Sequence, residues 1–290
     1  MKNKKIFPLL FHSVNILFQN KAILYPFFLN LFVQLFILEI LYFAPRYPLN
    51  VFFGPLIRKL WGESFLHFPM NFFLLPKLYQ YAVIPVNIFL SSFFIAVAIN
   101  IIVHINNDKK IYIRKIFKES LQYYVHVVVV AVIFFLLIGL LFAGYEAIYN
   151  RAAMIRSEEG KFYLIKRLFM DGAPYFNVLL SVFASTVLAY VMPIIVIDNK
   201  KAFSAILLNF KVLWGSFWFT FFVILLPTLL YMPVLLLRNL FPLESALPIS
   251  NEFPEIRVVI MVFSILVMTI IDAIIYTTVS MYYLMRKEEQ

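Results

Sequence analysis

Residues 122–145 read QYYVHVVVVAVIFFLLIGLLFAGY, and no Asp, Glu, Lys or Arg interrupts them. At a rise of about 1.5 Å per residue, a run of this length crosses the roughly 30 Å hydrocarbon core of a bilayer as a helix. Its apolar residues do not alternate with period two. In hydrocarbon such a run satisfies its own backbone only by coiling into a helix. Five further runs of the same character flank it. The spacing predicts membrane-crossing helices over 22–44, 81–104, 122–145, 174–197, 216–237 and 257–284.

Composition points the same way. The 290 residues are 63% hydrophobic and 14% charged, with a mean hydropathy of +0.89. Soluble proteins are about 45–50% apolar and about 25% charged, so a soluble fold is excluded. There is no Cys, which excludes disulfide frameworks, thiolate metal sites and cysteine nucleophiles. The expected architecture is a single all-α, polytopic integral membrane domain over residues 1–290, with six transmembrane helices.

Lys2, Lys4 and Lys5 open the chain, but Pro8, His12, Asn15 and Gln19 break the stretch that follows, and no small-residue cleavage site is evident. The first span is therefore expected to be an uncleaved anchor. Six crossings place both termini on one side, and more than half of the 25 Lys and Arg fall on that side. By the positive-inside rule this predicts both termini in the cytoplasm, in a cell membrane read as the bacterial cytoplasmic membrane.

An internal repeat orders the chain. Lys4-Lys5, Lys109-Lys110 and Lys200-Lys201 each precede an amphipathic stretch that leads into the first, third or fifth span. The stretches align on Ser13, Ser120 and Asn209. In the second, Ile113, Ile116, Phe117, Ser120, Tyr123 and Tyr124 share one helical face, while Lys115, Lys118, Glu119 and Gln122 share the other. In the third, Phe203, Ile206, Leu207, Phe210 and Trp214 lie opposite Lys201. In the first, His12, Asn15 and Gln19 form a narrow polar strip. The expectation is three hairpins, each led by an interfacial helix with its apolar face among acyl chains and its basic face toward anionic headgroups. The headgroup-binding candidates are Lys109, Lys110, Arg114, Lys115, Lys118, Lys200 and Lys201.

On the other side, loop 45–80 carries five prolines among aromatics and is expected to form broken short helices at the interface. Loop 238–256 is similar, and the hydrophilic loop 146–173 reads as a solvent-exposed extension of two helices.

Within the spans, Asp272 is the strongest site candidate, because an ionisable group at mid-membrane is costly and normally faces a cavity or a partner. Thr269 and Tyr276 lie on its face, and Ser280 continues the stripe. Two readings stand side by side: a proton or cation site on a solute path, and a buried carboxyl hydrogen-bonded to a neighbouring helix. Glu39 lies in the outer third of the first span with Tyr42 and Arg46 as local partners, and reads as a snorkelling group or a vestibule residue. Asn30 and Gln34 on the first span, Ser92, Ala96 and Asn100 on the second, and Ser181, Ser185 and Ala189 on the fourth form small and polar stripes that let helices approach closely. His104 and His126 fall near the cytoplasmic ends of adjacent spans but belong to no ligand motif. No HExxH, Walker A, dinucleotide-binding or GxSxG pattern occurs. Neither a cofactor nor an enzymatic activity is expected. The basic residues behind the net charge of +10 flank spans, so lipid headgroups rather than nucleic acid are the expected partners, with other membrane proteins beside them.

The segment running from Pro193 through Asp198-Asn199-Lys200-Lys201 to Ile206, and on through Leu213-Trp214-Gly215-Ser216-Phe217-Trp218, resembles the cytoplasmic turn of uncharacterised bacterial six-helix membrane proteins. These are akin to the membrane domain fused to some glycerophosphodiester phosphodiesterases. The opening from His12-Ser13 to Asn20, with Tyr25-Pro26, is similar to the first hairpin of those proteins and of sulfate-permease-like proteins. The latter likeness stops there, since the polar motif expected after the second span is missing. The resemblance implies a membrane protein lacking the phosphodiesterase barrel, and it carries over no catalytic residue. The functions expected are a non-enzymatic interaction or lipid-organising module, or alternatively a small-solute or ion transporter with a polar path at Asp272. A membrane enzyme acting on lipid has the least support.

Overall fold

The computed structural model describes residues 6–154, 172–240 and 255–288. Among them every regular element is helical, and six helices are long and apolar enough to cross a membrane: Lys21–Phe43, Met70–Asn106, Ile113–Arg151, Ala173–Ile197, Phe217–Arg238 and Ile256–Glu288. This is compatible with an integral membrane protein. Lys2, Lys4 and Lys5 and most of loops 146–173 and 238–256 lie outside the described residues.

In chain order the helices are α1 (Ile6–Gln19), α2 (Leu24–Phe43), α3 (Asn50–Leu60), α4 (Met70–Val86), α5 (Ser92–Asn106), α6 (Ile113–Ser120), α7 (Tyr124–Met154), α8 (Ala173–Val187), α9 (Val191–Ile197), α10 (Ala202–Trp214), α11 (Phe217–Thr228), α12 (Met232–Leu240) and α13 (Ile256–Glu288). The third long helix, Ile113–Arg151, overruns the expected 122–145 at both ends, and two further differences occur. Residues 70–80, expected in a broken loop, belong to the second long helix, which runs through Pro76 and Pro85. A π-helical turn at Asn87–Ser91 follows Pro85, the kind of local adjustment by which a helix re-pairs its backbone after a proline. The fourth crossing is two helices, α8 and α9, broken at residues 188–190.

Three inner segments, α5, α9 and the C-terminal half of α13, pack against one another. Where they meet, small or β-branched side chains are fully enclosed, including Val97, Ala98, Ile99, Val191, Ile194, Ile195, Thr277 and Thr278. Outside them, α2 packs between α5 and α13, α7 between α5 and α9, and α11 between α8 and α13. The outer helices also turn apolar side chains away from the protein, among them Phe32, Phe36, Leu136 and Leu140. Apolar surface inside and out is what a hydrocarbon solvent permits and water does not.

The short helices complete the pattern. α6 lies on α5 and meets α2 through an edge contact of Tyr25 with Phe117, ring centroids 6.3 Å apart. α10 lies on α9 and touches α7, and α1 lies on α13 and touches α11. Each short helix thus rests on the long helices of the preceding unit, and the N-terminal one closes the ring on the last. Two of the turns entering these helices share a device: Asp108 (φ 51°) and Asn199 (φ 53°) take the left-handed conformation directly before the Lys-Lys pair. Asp and Asn tolerate it because their short polar side chains bond locally.

Candidate functional site at the base of the bundle

Ser13, Ser120 and Asn209 are each the eighth residue of their short helix, and each is 0% exposed. The repeat alignment therefore has a physical content: one polar side chain per unit is sealed against the bundle. Asn100 Nδ2 in α5 donates to Ser120 Oγ at 3.2 Å, and Ser120 Oγ donates to the Ile116 carbonyl at 2.8 Å. Asn209 Nδ2 donates to the Val187 carbonyl at 2.7 Å, while its Oδ1 accepts the Tyr190 N–H at 3.0 Å. These backbone groups are the ones left unpaired by the α8–α9 break. Ser13 Oγ donates to the Leu9 carbonyl at 2.9 Å.

Asp198, at the end of α9, is the polar hub of the same end of the molecule. It accepts from Lys287 Nζ at 2.6 Å and from the Tyr283 hydroxyl. Arg286 Nη1 donates to the Val212 carbonyl at 2.5 Å and to Ser216 Oγ at 3.2 Å, and Asn106 Nδ2 donates to Glu288 Oε1 at 3.2 Å. The end of α13 is thereby tied to α9, α10 and α5. His104 lies between the Asn100 carbonyl (Nδ1, 2.9 Å) and Glu119 (Nε2, 3.5 Å), a second tie between α5 and α6. Sequence reading did not single out Asp198, Tyr283 or Arg286 as site residues, because their partners lie 70 or more positions away. Asp198 was visible only as part of the turn.

All seven headgroup-binding candidates, Lys109, Lys110, Arg114, Lys115, Lys118, Lys200 and Lys201, are exposed at this end. The helix faces need one correction. In α6 the apolar face was expected among acyl chains, but Ile116, Ser120 and the following Tyr123 are buried against the protein. The reason is that Asn100 offers Ser120 on that face a hydrogen-bonding partner, which hydrocarbon does not. In α10 the expected apolar face does point outward: Phe203, Leu207, Phe210 and Trp214 are exposed, Trp214 by 93%. In α1 Phe7, Phe11 and Phe18 are exposed beside the polar strip of His12, Asn15 and Gln19.

The intramembrane candidates do not form one constellation. Asn30 is paired across helices, with Ser91 Oγ donating to its Oδ1 at 2.6 Å. Ser91 Oγ also lies 2.9 Å from Asn87 Oδ1, and since one hydroxyl carries one proton, Asn87 turned to present its NH₂ satisfies the set. Gln34 Oε1 accepts from the Tyr79 hydroxyl at 3.3 Å, and Asn100 serves α6 as described. Thr269 donates to the Ile265 carbonyl of its own helix at 2.9 Å. Tyr276 packs against the apolar cluster that includes Ile23, Phe27 and Ile101. Glu39 is exposed and borders an open groove with Phe32, Val33, Leu35 and Phe36, while Arg46 stacks over Tyr42 and Phe43 at 5.2 and 5.6 Å instead of pairing with it. Asp272 is half-buried, and no hydrogen bond or ion pair reaches it among the described residues. The bond to a neighbouring helix, one of the two readings of this carboxyl, is not formed with any described residue. No group of three or more His, Cys, Asp or Glu close enough to hold a metal ion occurs among the described residues.

No protein-family model fits the chain, and no curated protein or solved structure is significantly similar to it.

Proposed function

We propose that this protein is a non-enzymatic integral membrane module whose base rests in the headgroup layer of the cytoplasmic leaflet and organises lipid or a membrane partner there. The observation that carries this reading is the common construction of the base. Three short helices each bury a polar residue against the bundle, two of them, Ser120 and Asn209, bonded to another helix, and they leave exposed apolar side chains and exposed cations at one end of the molecule. Aromatic and aliphatic side chains stabilise a helix at the acyl boundary, and cations beside them are attracted to anionic headgroups. Both termini then lie in the cytoplasm, in agreement with the charge bias of the connecting segments.

Because the chain has no Cys, single substitutions report topology without a background. Lys110→Cys and Lys201→Cys should be labelled by an impermeant maleimide only from the cytoplasmic side, and Trp61→Cys, between the first two spans, only from the other. Labelling of Lys110→Cys and Lys201→Cys from opposite sides would falsify the reading.

A second reading, a solute or ion path at Asp272, has one observation in its favour. On α13 the outward face is Val259, Phe263, Leu266 and Ile270, yet Met268, one turn from Asp272 on the other face, is 40% exposed. The Met268 side chain is thus partly accessible one turn from the carboxyl. Moreover α8 packs on α7 and α11, whereas its continuation α9 packs on α5 and α13, so the fourth crossing moves from the outer layer to the core toward the base.

A further inference from the structure

The shared register of the short helices lets their outward faces be compared residue by residue. Counting from each helix start, the same positions carry Phe7, Phe11, Val14 and Phe18 in α1, and Phe203, Leu207, Phe210 and Trp214 in α10. In the second unit those positions are Arg114, Lys118, Leu121 and Val125. All four are exposed. The spacing of four, three and four keeps the sets of α1 and α10 on one helical face, while in the second unit Arg114 and Lys118 share a face of α6 and Leu121 and Val125 follow in the 3-10 turn and the start of α7. Two units therefore present a stripe that is apolar throughout. The middle unit replaces its first half with two cations and keeps its second half apolar.

We propose that this stripe binds an anionic phospholipid, with Arg114 and Lys118 holding the phosphate and Leu121 and Val125 receiving an acyl chain. The inference rests on the headgroup-layer reading above. Residues four apart on a helix are neighbours, so the two cations converge on one anion, and the planar guanidinium suits two oxygens of a phosphate. Lys115 stands beside them, and Lys109 and Lys110 enter the helix from the turn. The acids of this segment are Asp108 and Glu119, and Glu119 faces His104 at 3.5 Å and Lys115 at 3.9 Å. The segment thus retains an excess of positive charge next to an apolar surface, which is the complement of a phospholipid's own layout. α1 contains no Lys or Arg within the helix itself, so its stripe lacks the paired cations that Arg114 and Lys118 supply in α6.

The test is a lipid titration followed by native mass spectrometry of the full chain, with phosphatidylglycerol and phosphatidylcholine as probes. The wild-type protein should retain phosphatidylglycerol preferentially. Arg114→Phe with Lys118→Phe, which restores the pattern of the sister helices, should weaken phosphatidylglycerol retention on the order of tenfold and leave phosphatidylcholine unchanged. Arg114→Gln with Lys118→Gln serves if the first variant misfolds. Arg58→Gln with Lys59→Gln, which removes the same charge from α3, should have no effect. Equal retention in the α6 variants, or an equal loss in the α3 variant, overturns the proposal. Failure of the underlying reading shows itself separately, through Trp214 in a Trp61→Phe, Trp218→Phe background. Quenching of that residue by brominated acyl chains means the base lies in the membrane whatever the lipid selectivity. Absence of quenching overturns both.

Discussion

Asn209 accepts the backbone N–H of Tyr190 at 3.0 Å, and this contact sets the path of the fourth crossing. The helix stops at Val187 and restarts at Val191, and the Asn209 amide, arriving from α10, pairs both with the N–H and with the Val187 carbonyl. The break lets α9 enter the core beside α5 and α13 while α8 stays against α7 and α11. A short helix at the base thus holds the bend that shapes the interior.

Removing that amide leaves the buried Tyr190 N–H and the part-buried Val187 carbonyl unpaired. Asn209→Ala is expected to destabilise the fold by about 2–4 kcal/mol, as each orphaned group costs about 1–3 kcal/mol. Asn209→Asp keeps the acceptor for the N–H but sets a carboxylate oxygen against the Val187 carbonyl, and should lose at least as much. Thermal melts in detergent decide it, and a midpoint for Asn209→Ala within error of wild type would show that water or the backbone takes over both bonds.

Asn30 and Ser91 join the first two long helices at 2.6 Å. Interhelical hydrogen bonds in membranes are worth about 0.6 kcal/mol on average and at most about 1.7. A double-mutant cycle with Asn30→Ala and Ser91→Ala should return a coupling in that range. Strict additivity would mean that the two side chains act independently.

At the C-terminal end, Arg286 bonds a carbonyl and a hydroxyl in a half-buried site, whereas the Lys287 side chain is 53% exposed in its pairing with Asp198. Arg286→Gln should therefore lower stability by roughly 1–3 kcal/mol. Lys287→Gln should cost less than about 1 kcal/mol, and that cost should shrink as salt is added. Melts at low and high ionic strength distinguish the two. A larger effect at Lys287 would move the anchor of α13 to Asp198.

Asp272→Asn is expected to leave expression and folding intact, since no bond to the carboxyl is lost among the described residues. In proteoliposomes any solute or ion flux should likewise be unchanged. Loss of an existing flux by a well-folded Asp272→Asn protein would place the solute-path reading ahead of the lipid-organising one.

Much of this architecture was legible in advance. Four of the six long helices begin and end within a few residues of expectation, because hydrocarbon leaves a backbone no partner but its own next turn. The alignment of Ser13, Ser120 and Asn209 was legible too, though not its meaning. The extension of the second helix to Met70 was missed, since Pro76 reads as a break within a proline-rich loop. Asp198 was missed because a carboxylate in a turn looks solvated until Tyr283 and Lys287 arrive from the far end of the chain.

By itself the sequence determined that the chain is helical, how many apolar helices it has, and which segments carry its charge. Only the tertiary structure decided which helices are inner and which outer, that α1 closes the ring on α13, and that α6 turns its apolar face to the protein. The reason is the solvent. In water, apolar periodicity marks the buried face of a helix, but lipid is as apolar as a protein interior, so hydropathy along α7 or α13 does not distinguish the two sides. The choice falls to a few polar side chains, each of which has to find its partner on another helix.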